Sequence, residues 1–253
     1  MSISQLKTNA RSILKTTYWM SLLACLILTV INSCGSYLAS MVQSIGAGSI
    51  DYTDYYEYIS EGDYQSAIAE LQRISSYSNP VASLLSYAVT IAFSIFVLNI
   101  IAVGFRKFFL KARFTRKGDI GDMFSTFSNY GPIMKTMFFY DLYIYLWSLL
   151  FLIPGIIKSY SYYMVPYILA ENPNIGTDRA FEISKRTMDG EKGKAFVMQL
   201  SFIGWYLLGL LACCIGVIFV TPYATATSAE FYAYVKQKSL ATGIATPADY
   251  GQE

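Results

Sequence analysis

The sequence predicts an all-α protein: a polytopic transmembrane helical bundle of about six spans, with one interfacial amphipathic helix. Three observations carry this. The chain of 253 residues is 54% hydrophobic and 14% charged, whereas soluble domains carry roughly 25% charged residues. No charge occurs between Lys15 and Asp51, between Arg73 and Arg106, or between Lys194 and Glu230. Each gap exceeds the roughly 20 residues that cross a bilayer as helix. Finally, the basic residues gather in alternate loops.

The first span is expected at about 18–37, the second at 81–105, the fifth at 195–214 and the sixth at 215–235. The shorter gaps from Asp141 to Lys158 and from Lys158 to Glu171 give a third span at 136–153 and a short fourth at 155–170. Lys7, Arg11 and Lys15 precede the first span, and a dense basic group from Arg106 to Lys135 follows the second. Arg179, Lys185, Arg186, Lys192 and Lys194 separate the fourth from the fifth, and Lys236 and Lys238 follow the sixth. Of the 19 Lys and Arg residues, only Arg73 and Lys158 fall on the other side. The positive-inside rule then places both termini in the cytoplasm and the chain in the plasma membrane. A five-span arrangement would put Lys236 and Lys238 outside. The N-terminal apolar run continues to Ile45, longer than a signal core, so it reads as a retained span and not as a cleaved signal.

On this reading 1–240 is a single integral membrane domain and 241–253 a flexible cytoplasmic tail. Cytoplasmic loops are expected at about 106–135 and 171–194. The outer loop, about 46–79, sets Asp51, Asp54, Glu57, Glu61, Asp63 and Glu70 against Arg73 alone, and is rich in tyrosine. Ala67, Ile68 and Leu71 predict a short helix over 65–75. The run Glu61-Gly62-Asp63-Tyr64 onward looks like a fragment of a tetratricopeptide repeat, but one fragment is no array. The loop reads as an acidic cap or as a docking surface for a cationic partner.

Much chemistry is excluded. With no His, neither imidazole-based nucleophilic catalysis nor a His-Glu-x-x-His zinc site is open to the chain. Cys25, Cys34, Cys213 and Cys214 form no C-x-x-C pair and read as small apolar filler. There is no P-loop, and a net charge of +2 gives no ground for nucleic-acid binding. Tyr140-Asp141 resembles half of an intramembrane aspartyl protease site, but the nearest Gly-Asp, Gly121-Asp122, precedes it. No enzyme, metal or cofactor is expected.

Polar groups inside the spans are therefore the site candidates. Asp141 and Glu230 are carboxylates in apolar helices, and a carboxylate in a membrane costs several kcal/mol unless paired or wetted. Both are expected in the cytoplasmic half at similar depth, with Asn99 a partner. Pro154, Gly155, Lys158, Pro166 and Pro222 mark candidate helix breaks, read as a plain turn or as broken helices lining a cavity. Ala180, Ile183, Thr187 and Met188 share one helical face, predicting an interfacial helix on which Arg179, Lys185 and Arg186 contact lipid headgroups. The basic stretch 107–117, with Phe108, Phe109 and Phe114 interleaved, reads as the positive-inside signal and as a contact for anionic lipid.

The stretch Leu146-Trp147-Ser148-Leu149-Leu150-Phe151-Leu152-Ile153-Pro154-Gly155-Ile156-Ile157-Lys158 resembles a bacterial membrane family, domain of unknown function 975. The resemblance continues through Tyr167-Ile168-Leu169-Ala170-Glu171-Asn172-Pro173, Ala180, Ser184, Met188-Asp189-Gly190, Phe202-Ile203-Gly204-Trp205, Pro222-Tyr223 and Phe231-Tyr232. It covers about half of the chain and leaves out the acidic loop. It implies a polytopic protein of the cytoplasmic membrane. The helix before the fifth span is also similar to part of the non-catalytic membrane domain of some glycerophosphodiester phosphodiesterases. The leading expectation is a non-enzymatic protein that binds membrane lipids, a peptide or a membrane-protein partner. The alternative is a small-solute or ion transporter or channel subunit using Asp141 and Glu230. Oligomeric state is not legible.

Overall fold

The computed structural model describes residues 1–47, 52–76, 80–211 and 215–252, and its regular structure there is helical throughout. In chain order the helices are α1 (Ile3–Ala47), α2 (Thr53–Glu61), α3 (Tyr64–Ser76), α4 (Pro80–Phe93), α5 (Asn99–Thr115), α6 (Gly121–Phe124), α7 (Tyr130–Leu150) and α8 (Leu152–Ser161). Then come α9 (Val165–Glu171), α10 (Thr177–Thr187), α11 (Lys192–Leu211) and α12 (Ile215–Ala241), with a closing 3-10 turn at Pro247–Tyr250. A π-helical turn, Ser94–Leu98, joins α4 to α5. Three helical stretches, Ile3–Ile45, Pro80–Thr115 and Lys192–Leu211, are long and apolar enough to cross a membrane. Cys213, Cys214, Asp51 and Tyr77 lie outside the described residues.

The single domain expected over 1–240 divides by its contacts into two units, Met1–Val30 with Ile95–Glu253, and Ile31–Ser94. The smaller unit contains the acidic segment that the sequence predicts as an outer loop. Instead of one helix it forms a hairpin of α2 and α3. Gly62, at φ 77°, closes α2, and the Asp63 carboxylate caps α3 by accepting from the Ser66 amide at 3.2 Å and hydroxyl at 2.6 Å. Ala67 is buried on the hairpin's inner face.

The larger unit is built around α5, which packs against α6, α7, α9 and α12. Ile101, Phe105, Phe108, Phe109 and Ala112 are buried at helical spacing on it. The basic stretch 107–117, expected as loop, is therefore mostly helix, because its phenylalanines continue the apolar face of the span. Gly104 lets the α6 backbone approach: a Cβ there would collide with the Met123 carbonyl.

The expected fourth span is instead two short helices, α8 and α9, interrupted at 162–164. Pro166 stands in the first turn of α9, where it needs no hydrogen bond. Every residue from Val165 to Ala170 is buried, enclosed by α5, α7 and α10. Pro154, Gly155 and Lys158 do not break a helix; they lie inside α8, and the interruption falls at Phe151, whose backbone is extended. Lys158 rests on the Trp147 ring, 4.5 Å from its centroid. Pro222 likewise breaks nothing, since α12 runs unbroken through it.

Helix α10 is amphipathic, but its apolar face is covered by protein. Ala180, Phe181, Ile183, Ser184, Thr187 and Met188 are buried, and α10 packs on α8, α9 and α12. Burial of a large apolar side chain stabilises by about 1.5–3 kcal/mol, so this face is anchored. Ser184 adds a polar lock at the interruption, accepting from the Met164 amide at 3.2 Å and donating to the Ser161 carbonyl at 2.9 Å.

Candidate functional site

Buried charges gather where α5 and α12 reach their basic ends. On α12, Glu230, Tyr232 and Lys236 project from neighbouring turns. Glu230 is 3% exposed and accepts from Arg113 Nε of α5 at 2.5 Å and from Asn9 Nδ2 of α1 at 3.3 Å. One carboxylate thus ties three helices together. Glu171, at the end of α9, accepts from Lys236 Nζ at 2.7 Å and from the Tyr232 hydroxyl at 2.7 Å. The Tyr232 ring stacks on Tyr167 of α9 with centroids 4.9 Å apart, and Arg106 lies 5.4 Å over the other tyrosine's ring centroid. A second buried carboxylate, Glu191, accepts from Lys238 at 2.9 Å and pairs with Lys194 at 2.9 Å. Burial pushes the Glu191 acid upward in pKa, but its bonds to Lys238 and Lys194 prevail and hold it below its ordinary value.

Beside Glu171, Tyr232 and Lys236 lies a cavity of about 210 Å³. Leu110, Arg113 and Phe114 of α5 line it, together with Glu171 at the end of α9 and Lys236 and Leu240 of α12. Gln252 closes part of the rim. Arg113 spends only Nε on Glu230, and its guanidinium lies 5.1 Å over the Phe114 ring, so among the described residues its two terminal nitrogens have no hydrogen-bond partner. Lys236 gives one proton to Glu171 and sits 4.6 Å over the Tyr250 ring. The site can offer hydrogen-bond donors and positive charge beside an apolar wall.

Gln252 reaches the rim because the C-terminal segment is packed and not the loose tail expected. Gly243, at φ 67°, turns the chain back at the end of α12, and the Ile244 amide bonds the Ser239 carbonyl at 3.0 Å. Thr246 and Asp249 then form a reciprocal cap on the closing turn. Tyr250 is buried, its hydroxyl 2.7 Å from that of Ser239. Asp249 receives both Nε and Nη2 of Arg179, at 3.1 and 2.9 Å. That fork, helped by the Thr246 amide and hydroxyl against burial, holds the Asp249 carboxyl down at about 2.

The candidates named from sequence are thus dispersed. Asn99 donates to Asp141 at 2.6 Å. Glu230 is bound to Arg113. Asn99 and Arg113 stand at opposite ends of α5, fourteen residues or about 21 Å apart along the helix. The two carboxylates expected at similar depth are therefore held separately. Arg179, expected to meet lipid headgroups, binds Asp249 and Glu182; Arg186 also binds Glu182, at 3.0 Å, while Lys185 is exposed. Pro154, Gly155, Pro166 and Pro222 do not line the cavity.

Arg113, Glu171, Tyr232 and Lys236 were missed. Their partners lie 61 to 117 positions away, beyond the reach of helical periodicity. One signal was available: Tyr232, Lys236 and Leu240 repeat every four residues, placing a polar pair on the same stripe as an apolar side chain.

No curated protein and no solved structure matches the chain. The family model described as protein of unknown function (DUF975) matches residues 149–239. That segment holds Glu171, Ser184, Glu191, Glu230, Tyr232 and Lys236, while Arg113 and Gln252 lie outside it. Over residues 149–239 the chain is similar to the DUF975 family.

Proposed function

We propose that this is a non-enzymatic, multi-pass protein of the cytoplasmic membrane that binds a lipid, a peptide or a membrane-protein partner through the cavity between α5 and α12. The observation that carries the reading is the cavity itself, lined by Arg113 and Lys236, each with donors beyond its ion pair, and by apolar Leu110, Phe114 and Leu240. Such a mixture suits an amphiphile: convergent polar groups orient it and the apolar wall holds it. The three membrane-capable stretches and the one-sided distribution of Lys and Arg support a topology with both termini in the cytoplasm. The proposed six spans would add α7, α12 and the α8 and α9 pair to those three.

The transport reading draws on Asp141 and Glu230. It has weaker support, because each carboxylate has its own partner on a different part of α5. The π-helical turn beside Asn99 is its best argument, since such turns recur at functional sites.

The test is native mass spectrometry of protein released gently from its membranes. A reproducible added mass that disappears in a cavity-filling Leu240→Trp variant is the expected result. A clean spectrum for both forms, with flux reduced by Asp141→Asn, would move the assignment to transport.

A further inference from the structure

We propose that the cavity between α5 and α12 takes the headgroup of an anionic phospholipid bearing hydroxyls, with the acyl chains leaving past Phe114. The proposal rests on the reading of this cavity as a binding site and names the ligand class.

Depth is the first argument. Arg113 and Phe114 stand at the end of the stretch Pro80–Thr115, which is long and apolar enough to cross a membrane. The stretch is 36 residues, longer than a bilayer requires, and its first charge after the apolar run is Arg106. Arg113 follows seven residues, about 10 Å, further along the helix, near the lipid headgroups, where juxtamembrane basic residues attract anionic lipid. Arg116 and Lys117 follow immediately.

The donor set is the second. Arg113 bonds Glu230 through Nε alone, which leaves its terminal nitrogens as donors, and the guanidinium fork can meet two phosphate oxygens at once. Lys236 retains two of its three protons after bonding Glu171. Glu171 would repel a bare dianion placed against it, but it accepts from hydroxyls, as it already does from Tyr232. A phosphodiester carrying a glycerol-like headgroup satisfies both halves: phosphate toward Arg113 and Lys236, hydroxyl toward Glu171.

Size and exposure supply the third. The volume, about 210 Å³, is below the roughly 300 Å³ where pockets for drug-sized molecules begin. It holds a headgroup and excludes an acyl chain. The chains need an apolar exit, and Phe114, 68% exposed at the cavity wall, provides one. A soluble anion would have no use for this side chain.

The experiment places the full-length protein in phosphatidylcholine nanodiscs with added phosphatidylglycerol and counts the lipids retained on release by native mass spectrometry. The wild type is expected to keep phosphatidylglycerol in preference to phosphatidylcholine and phosphatidylethanolamine. The paired variant Arg113→Gln/Glu230→Gln removes the guanidinium without stranding a buried carboxylate. It should bind about fivefold less, the effect of one juxtamembrane cation. Leu240→Trp, which keeps every ion pair, should lose the lipid outright and decides the matter if the paired variant does not fold. Equal retention of phosphatidylcholine, or displacement by soluble glycerol phosphate at matched concentration, overturns the lipid assignment and leaves a binding cavity. A retained peptide or protein that Leu240→Trp releases has the same meaning. No bound mass of any kind overturns the cavity reading as well.

Discussion

The two contact units solve the problem of helix placement differently. In Ile31–Ser94 the buried described residues are small: Gly35, Ala67, Ala82 and Ser86. Among the described residues, an ion pair there between Arg73 and Glu70 lies within one helix, three residues apart. The larger unit buries phenylalanine, tyrosine and methionine, and beside local pairs such as Arg186–Glu182 it has ion pairs that join helices far apart in sequence. A buried charge is tolerated only with a partner, so each such pair fixes where one helix meets another. The comparison teaches that charge specifies assembly in the larger unit and decorates the surface in the smaller one.

The sharpest way to break this contrast is to strand one partner. Glu230→Ala leaves Arg113 and Asn9 without their acceptor and is expected to destabilise by about 3 kcal/mol, read as a lowered thermal midpoint in detergent. Gly104→Ala tests packing in the same unit by driving a methyl into the Met123 carbonyl. Overpacking of this kind costs about 1–3 kcal/mol, checked by denaturant titration. Ser184→Ala removes both bonds at the interruption between α8 and α9 and should cost about 2 kcal/mol, with faster hydrogen exchange at the Met164 amide. Weaker still is the C-terminal turn. Because the folded Asp249 carboxyl is held at about 2, below its ordinary 3.8, its stabilisation is complete above about pH 4. It is lost as the pH falls toward 2. The contribution is roughly 1 kcal/mol after allowance for solvent screening. Protease nicking of the C-terminal segment should rise over that acid window in wild type, and Asp249→Asn should raise it at neutral pH. At the bottom of the scale, Glu70→Ala in α3 should leave the thermal midpoint unmoved.

What the sequence makes legible follows the range of the physics. Apolar runs and their charge boundaries announce α1, the α4–α5 stretch and α11, because membrane-length helices are written locally. The interruption before Pro166 was legible for the same reason. The environment of an amphipathic face is not local: Ala180, Ile183 and Met188 have one spacing whether lipid or protein covers them, and here α8, α9 and α12 do. The same holds for the candidate site. Glu230 stood out as a carboxylate in an apolar helix, but Arg113 looked like one more basic residue in a loop until α5 extended through it. Composition likewise hid the C-terminal turn, whose Thr246 and Asp249 cap and Arg179 fork are reciprocal contacts and not a hydropathy pattern.

The central claim is that the cavity between α5 and α12 is occupied in the membrane. It is tested most directly by placing a photo-crosslinking side chain at Gln237, on the cavity wall, and at exposed Lys185 on α10, then irradiating intact membranes. The account predicts one defined adduct from Gln237 that vanishes when Leu240→Trp fills the cavity, and none of that mass from Lys185. The same adduct from both positions, or one indifferent to Leu240→Trp, would contradict it.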